Sequence, residues 1–213
     1  MMYYPEYDFV FLDIMKNGSN LFAQLFKHVF GKEFEEPYFV REPEIYMTVV
    51  RNPYDRLISQ FYHINRQVIN RNFKFTIHYP FFRKWVKEVY SGEGYTGTDG
   101  HLFSQTHIIQ YYEYPLPYKV FKLEELIPHQ MFYFLDLTDE QKADIDNKFS
   151  EIRLDLTANG HHAFGAMKQG VWEVFHDKET IELCNNYFAK DFEAFGYDMV
   201  DTSKWETPKK SVL

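Results

Sequence analysis

The apolar positions of this chain switch between two periods, and the switches mark its elements. Asp8 to Ile14 is a short apolar run rich in β-formers, the pattern of a buried strand. Beyond Gly18 the period changes: Leu21, Phe22, Leu25, Phe26 and Val29 fall at helical spacing, and Gly31 is placed to end that helix. Ile45 to Val50, dominated by β-branched and aromatic residues, reads as a second buried strand. Arg51-Asn52-Pro53 breaks it, and a helical pattern resumes from Tyr54 to about Val68 through Leu57, Ile58, Phe61 and Tyr62. Pro80 opens another helical run with Phe81, Phe82, Trp85, Val86 and Val89 on one face, ending near the glycine-rich segment Ser91 to Gly100. Tyr118 to Leu123 reads as a strand, with a short helix starting at Glu124. Thr138 and Gln141 form a capping box for a helix through Phe149, and Asp177 caps a last helix with Ile181, Cys184, Tyr187, Phe188, Asp191, Phe192 and Phe195 along its stripe. The alternation of strand and helix gives an α/β class. No repeat, low-complexity tract or linker interrupts it, so one domain over residues 1–213 is expected.

Two of the strand-to-helix switches carry chemistry. At Lys16-Asn17-Gly18-Ser19-Asn20-Leu21 the chain turns through a glycine into a helix, which exposes unpaired backbone N–H groups backed by the helix dipole. Lys16 adds a mobile positive charge, and the Ser19 hydroxyl and Asn20 amide add donors, so the turn is a candidate anion site. The spacing is not that of a Walker A loop: no lysine follows the glycine and no second glycine precedes it at the required interval. Taken alone, Gly18-Ser19-Asn20 reads rather as an ordinary turn with an N-cap.

The second switch is Val50-Arg51-Asn52-Pro53-Tyr54-Asp55-Arg56-Leu57-Ile58-Ser59-Gln60. Arg51 stands at the carboxyl end of a strand, where open α/β sheets bind their ligands. Ser59 follows within the first turns of the next helix. A guanidinium fork and a hydroxyl suit a terminal phosphate. Arg56 is the weaker candidate for that role, because a helix-surface arginine more often makes a solvated ion pair.

Together these stretches resemble the two cofactor motifs of sulfotransferases that use 3′-phosphoadenosine 5′-phosphosulfate (PAPS). The resemblance continues through Gly100-His101-Leu102-Phe103-Ser104-Gln105, Tyr118-Lys119-Val120-Phe121-Lys122-Leu123-Glu124-Glu125-Leu126 and Tyr187-Phe188-Ala189-Lys190-Asp191-Phe192-Glu193-Ala194-Phe195-Gly196-Tyr197, in the order of the carbohydrate O-sulfotransferase branch. It implies a P-loop-like three-layer fold with a central, mainly parallel sheet flanked by helices. It also implies that Lys16, Asn17, Gly18, Ser19, Asn20 and Leu21 form the 5′-phosphosulfate site, while Arg51 and Ser59 hold the 3′-phosphate. The family usually has a hydroxyl residue where Asn20 stands, so an amide would make that contact here.

The implied chemistry is in-line sulfuryl transfer to a hydroxyl, probed most directly by the product nucleotide adenosine 3′,5′-bisphosphate. Negative charge builds on the 5′-phosphate as the sulfuryl group leaves, which makes Lys16 the natural stabiliser and requires no metal. The acceptor hydroxyl needs a base. His101 matches the family's histidine position ahead of the aromatic-x-Gln step, with Asp99 or Glu93 to orient it or to act in its place. In the glycine-punctuated segment Asn159 to Gly170 the family often closes over the nucleotide, which nominates Lys168 and, just beyond, Trp172. The remaining histidines, including His28, His63 and His107 within helical patterns, read as structural.

Composition narrows the partners. A formal charge of −8, from 31 acidic and 23 basic residues, repels polyanions, so nucleic acid is not an expected partner and a neutral or lightly charged glycan is the expected acceptor. With 22 Phe and 17 Tyr, most aromatics must be packing residues. Tyr111, Tyr112 and Tyr114 are candidates to stack on a sugar. The lone Cys184 excludes an internal disulfide and reads as a small buried hydrophobe. No signal-peptide pattern and no bilayer-length apolar run occurs, which leads to the expectation of a soluble, cytoplasmic enzyme of a bacterium or a virus with no membrane partner. Two other readings stay open: a P-loop-like kinase, and a non-catalytic glycan- or nucleotide-binding protein of this fold.

Overall fold

The computed structural model describes residues 1–35, 43–65, 78–91, 99–111, 118–158 and 172–206. In chain order the strands are β1 (Met2–Tyr4), β2 (Phe9–Leu12), β3 (Ile45–Val50) and β4 (Lys119–Lys122). The helices are α1 (Ser19–Phe30), α2 (Pro53–Ile64), α3 (His78–Tyr90), α4 (Gln105–Tyr111), α5 (Asp139–Ala158), α6 (Trp172–Phe175), α7 (Lys178–Tyr187) and α8 (Ala189–Phe195). They group into two compact units, Met1–Val50 with Glu113–Ala166, and Arg51–Tyr112 with Met167–Leu213.

The first unit holds the sheet, in the order β1-β2-β3-β4. β2, β3 and β4 run parallel, and β1 pairs antiparallel to β2. The α/β class and the mainly parallel sheet are as the sequence predicts. Strand alternation sorts the side chains: Phe9 and Phe11 of β2 and Met47 and Val49 of β3 enter one core with Phe22, Leu25 and Phe26 of α1 and Ile145, Phe149 and Ile152 of α5. Val10, Leu12 and Tyr46 form a separate cluster, as residues of opposite parity must. α1 ends as expected at Gly31, whose φ of 71° is left-handed and whose N–H donates to Lys27 O at 2.9 Å. α5 starts on the expected capping box, with Thr138 N–H on Gln141 Oε1 at 2.9 Å and Gln141 N–H on Thr138 Oγ1 at 3.3 Å. It runs past Phe149 to Ala158. Two histidine–carboxylate pairs tie it down, His28 to Asp144 and His129 to Asp146, each at 2.7 Å.

Three sequence expectations change here. β1 precedes the strand read as the first one; three residues are too few to show a period. The strand read over Asp8 to Ile14 is confined to Phe9–Leu12. No helix starts at Glu124: Glu125 N–H closes a turn on Lys122 O, and Ile127 is held extended ahead of Pro128, which opens a short 3-10 turn through Phe132.

The second unit is helical. Asn52 caps α2, its side chain accepting from Tyr54 N–H at 2.9 Å, and Pro53 takes the first helical position, where its missing N–H costs nothing. α2 is described through Ile64, where Asn65 turns both its N–H and its side-chain amide onto Phe61 O; the rest of the stretch expected to reach Val68 lies outside the described residues. α3 begins two residues before Pro80 and buries Tyr79, Phe82, Val86 and Tyr90, whereas Phe81, expected on that face, is 62% exposed. Asp177 and Thr180 form a reciprocal capping box on α7. The single last helix expected from the pattern is two, α7 and α8, broken at Phe188. Tyr54, Phe61, Phe82, Phe175, Phe188 and Phe192 fill the core of this unit, and Cys184 is buried among them, where desolvation raises its thiol well above the usual range.

Candidate active site

The first candidate segment lies in the sheet unit. After β2 the chain turns: Asn17 N–H donates to Ile14 O at 3.1 Å, Lys16 takes a left-handed φ of 75° and Gly18 one of 102°. A non-glycine residue in that region costs about 1–2 kcal/mol, so the tertiary fold holds Lys16 there against its preference. At Gly18 a side chain would be strained by φ and would also sit 3.2 Å from Phe22 Cε2. Asn17 is buried and its Nδ2 donates to Val49 O at 2.8 Å, while Thr48 Oγ1 donates to Leu12 O at 2.8 Å. The turn is therefore bolted to the ends of β2 and β3. Asn17 spends both its N–H and its Nδ2 inside the fold, which makes it the anchor of the turn.

α1 starts directly on this turn. Its first intrahelical bond is Phe22 N–H to Gly18 O at 3.0 Å, so the N–H groups of Ser19, Asn20 and Leu21 have no acceptor within the helix. Gly18 supplies no side-chain cap, and no acidic residue stands in the first turn. These are the donors and the field an anionic group requires. Leu21 buries its side chain in the core, leaving its N–H as the relevant group; the Asn20 side chain is exposed.

The other candidates lie in the helical unit. Arg51, half-buried, is held by its backbone: Gln105 Oε1 accepts the Arg51 N–H and Gln105 Nε2 donates to Arg51 O, both at 2.9 Å. Gln105 is itself buried and starts α4, where Asp191 accepts the Gln105 N–H, the Thr106 N–H and the Thr106 hydroxyl, all at 2.8 Å. Arg56 joins from α2, with Nη1 donating to Phe103 O at 2.8 Å. Burial lowers its guanidinium pKa, and the Asp191 charge offsets that only in part. The expectation of a solvated surface arginine is overturned: Arg56 is only 1% exposed, because both flanks of α2 are covered. Ser59, half-buried, lies on the same helix.

His101 sits in a 3-10 turn, Gly100–Leu102, capped by Asp99. Asp99 Oδ1 accepts the His101 N–H at 3.0 Å and faces its Nδ1 at 2.8 Å. Burial pushes the Asp99 carboxyl up, but the bonds from His101 and the nearby His101 and His63 rings outweigh it and hold the group below its ordinary value. An ionised Asp99 accepts from Nδ1–H, which assigns the proton to Nδ1 and leaves the Nε2 lone pair as the basic site. The turn is pinned further along: the Tyr90 hydroxyl lies 3.3 Å from Leu102 O and 3.2 Å from Gln60 Oε1. Asp99, Leu102, Phe103, Gln105 and Thr106 are thus each hydrogen-bonded to a neighbour, which holds the His101 segment on both sides.

Sequence reasoning gave no role to Gln105, Asp191 or His63, whose ring stacks on His101. The signal for the first two was present: each is a polar residue within a motif and on the apolar stripe of a helix. Lys168, Glu93, His161, His162, Tyr112 and Tyr114 lie outside the described residues, as does the side chain of Trp172. Among the described residues no group of three His, Cys, Asp or Glu side chains is placed to hold a metal ion, and no helix is long and apolar enough to cross a membrane.

A family model described as the sulfotransferase family matches residues 1–198, nearly the whole chain. No curated protein and no solved structure matches it.

Proposed function

The chain belongs to the sulfotransferase family, and we propose that it is a PAPS-dependent O-sulfotransferase acting on a saccharide hydroxyl, both units serving as one catalytic domain. The observation that carries this reading is the Lys16 to Leu21 turn, where a strained lysine, a glycine at which any side chain would be strained and helix N–H groups with no acceptor inside the helix stand within a chain that the family model matches over residues 1–198. The donor set fits a phosphosulfate: all of it donates and none of it carries negative charge.

In this reading Lys16 and the N–H groups of Gly18, Ser19, Asn20 and Leu21 hold the 5′-phosphosulfate, with the Ser19 hydroxyl and the Asn20 amide as side-chain donors and Asn17 as the anchor of the turn. Arg51 and Ser59 take the 3′-phosphate, and Lys168 supports the nucleotide. When bound, PAPS supplies the sulfuryl group, and its transfer leaves added negative charge on the 5′-phosphate. Lys16 meets that charge as it develops, which lowers the barrier more than it tightens the ground state. His101 Nε2 takes the proton of the acceptor hydroxyl, a role that contributes roughly 10² to 10⁴ in rate, while Asp99 holds the ring in the correct tautomer and balances the imidazolium charge. The protein's share is positioning and electrostatics, without a protein-bound covalent intermediate. The net charge of −8 supports a neutral or lightly charged glycan as acceptor.

Calorimetry tests the nucleotide assignment. Adenosine 3′,5′-bisphosphate is expected to bind much more tightly than AMP, since only the former offers a 3′-phosphate to Arg51 and Ser59. Equal affinity for the two rejects the assignment.

A further inference from the structure

His101 is held on its edge by Asp99 and on its face by a residue that the sequence presents as an ordinary helix position. The His63 and His101 ring centroids are 4.1 Å apart and the planes 24° from parallel, a stacked pair. The His101 side chain keeps 32% of its exposure, so burial alone does not fix the ring. His63 is well placed to do so. It sits in the last turn of α2, which the Asn65 N–H and amide lock onto Phe61 O at 3.0 and 2.9 Å. It also lies four residues after Ser59, hence on the same face of that helix. One face of α2 therefore carries both the proposed 3′-phosphate hydroxyl and the ring that backs the proposed base.

We propose that His63 is a positioning residue for the base, an aromatic platform that fixes the plane of the His101 ring while Asp99 fixes its edge. The proposal rests on the reading of His101 as the base. Two contacts at right angles leave the imidazole little freedom, so Nε2 is aimed before the acceptor arrives. When Nε2 takes the acceptor proton the ring becomes a cation, with a carboxylate at its edge and an aromatic face beside it. The second contact needs only a flat π-system.

That last point sets the experiment. In the full chain, His63→Leu keeps bulk and removes the aromatic face, His63→Phe keeps the face and removes the titratable group, and His101→Ala removes the base. Labelled PAPS serves as donor, with neutral oligosaccharides and 4-nitrophenol as acceptors. His63→Leu is expected to lower kcat about tenfold while KM for PAPS and the melting temperature stay put, and His63→Phe to recover kcat to within about twofold. Wild-type kcat in His63→Leu beside an inactive His101→Ala overturns the platform and leaves the base in place. Failure of His63→Phe to recover also overturns it. Full activity of His101→Ala, or no transfer by the unmodified chain, overturns the underlying reading and the platform with it.

Discussion

The side-chain amide of Gln105 clamps the backbone of Arg51 from both sides, accepting its N–H and donating to its carbonyl, each at 2.9 Å. The clamp fixes where the Arg51 side chain starts. Gln105→Met leaves both Arg51 backbone groups short of a buried partner, a loss of about 1–3 kcal/mol visible in urea denaturation. It is expected to weaken adenosine 3′,5′-bisphosphate binding by calorimetry while leaving AMP binding nearly unchanged. An equal loss for both nucleotides would mean that Gln105 holds the fold and not the arginine.

Asp191 secures the clamp and is also the charge that meets buried Arg56. Asp191→Ala strips three donors of their acceptor and leaves Arg56 uncompensated, and is expected to cost about 3–5 kcal/mol. Asp191→Ala with Arg56→Leu should be less destabilised than the sum of the two single variants, because the second change removes the stranded charge. Additive losses in denaturation would show that the two charges do not interact.

Lys16 combines a strained backbone with the charge assigned to the 5′-phosphate. Lys16→Gly relieves the left-handed φ of 75° and is expected to raise stability, or leave it unchanged within about 1 kcal/mol, while abolishing sulfuryl transfer. Lys16→Ala should lose the same activity without the gain. Thermal melts read beside a transfer assay separate the two effects, and retained turnover in both variants would show that Lys16 is not the residue that stabilises the departing 5′-phosphate.

His176 is fully buried, and desolvation pushes its imidazole down to about 3, so it is neutral in the folded protein at neutral pH. In the unfolded chain it protonates near its ordinary value of 6.5. The unfolded state thus binds the extra proton between those values, and folding stability must fall as pH drops from about 6.5 toward about 3. Denaturation across that range is expected to show a loss of a few kcal/mol from this group. His176→Phe should flatten the slope; an unchanged slope would place the acid sensitivity elsewhere.

Much of the sheet unit could be read from the chain because its signals are local. β3 and α1 are long enough to show their period, and Gly18 and Gly31 both occupy left-handed turns that mark the ends of α1. The helical unit was less legible because tertiary contacts set it. The stripe shared by α7 and α8 hides the break at Phe188. Arg56 looked exposed because single-face amphipathicity was assumed for a helix buried on two sides. Asp191 and Gln105 were quoted as motif residues without a role, since nothing in one sequence shows that positions 86 residues apart share a hydrogen bond. The His63 and His101 stack was hidden for the same reason.

The central claim is transfer itself. Incubating the chain with PAPS labelled in its sulfuryl group and a panel of neutral glycans, phenols and peptides should place label on a neutral glycan hydroxyl, and Lys16→Ala should abolish the incorporation. Label that stays on the nucleotide with every acceptor, although adenosine 3′,5′-bisphosphate binds, would contradict it.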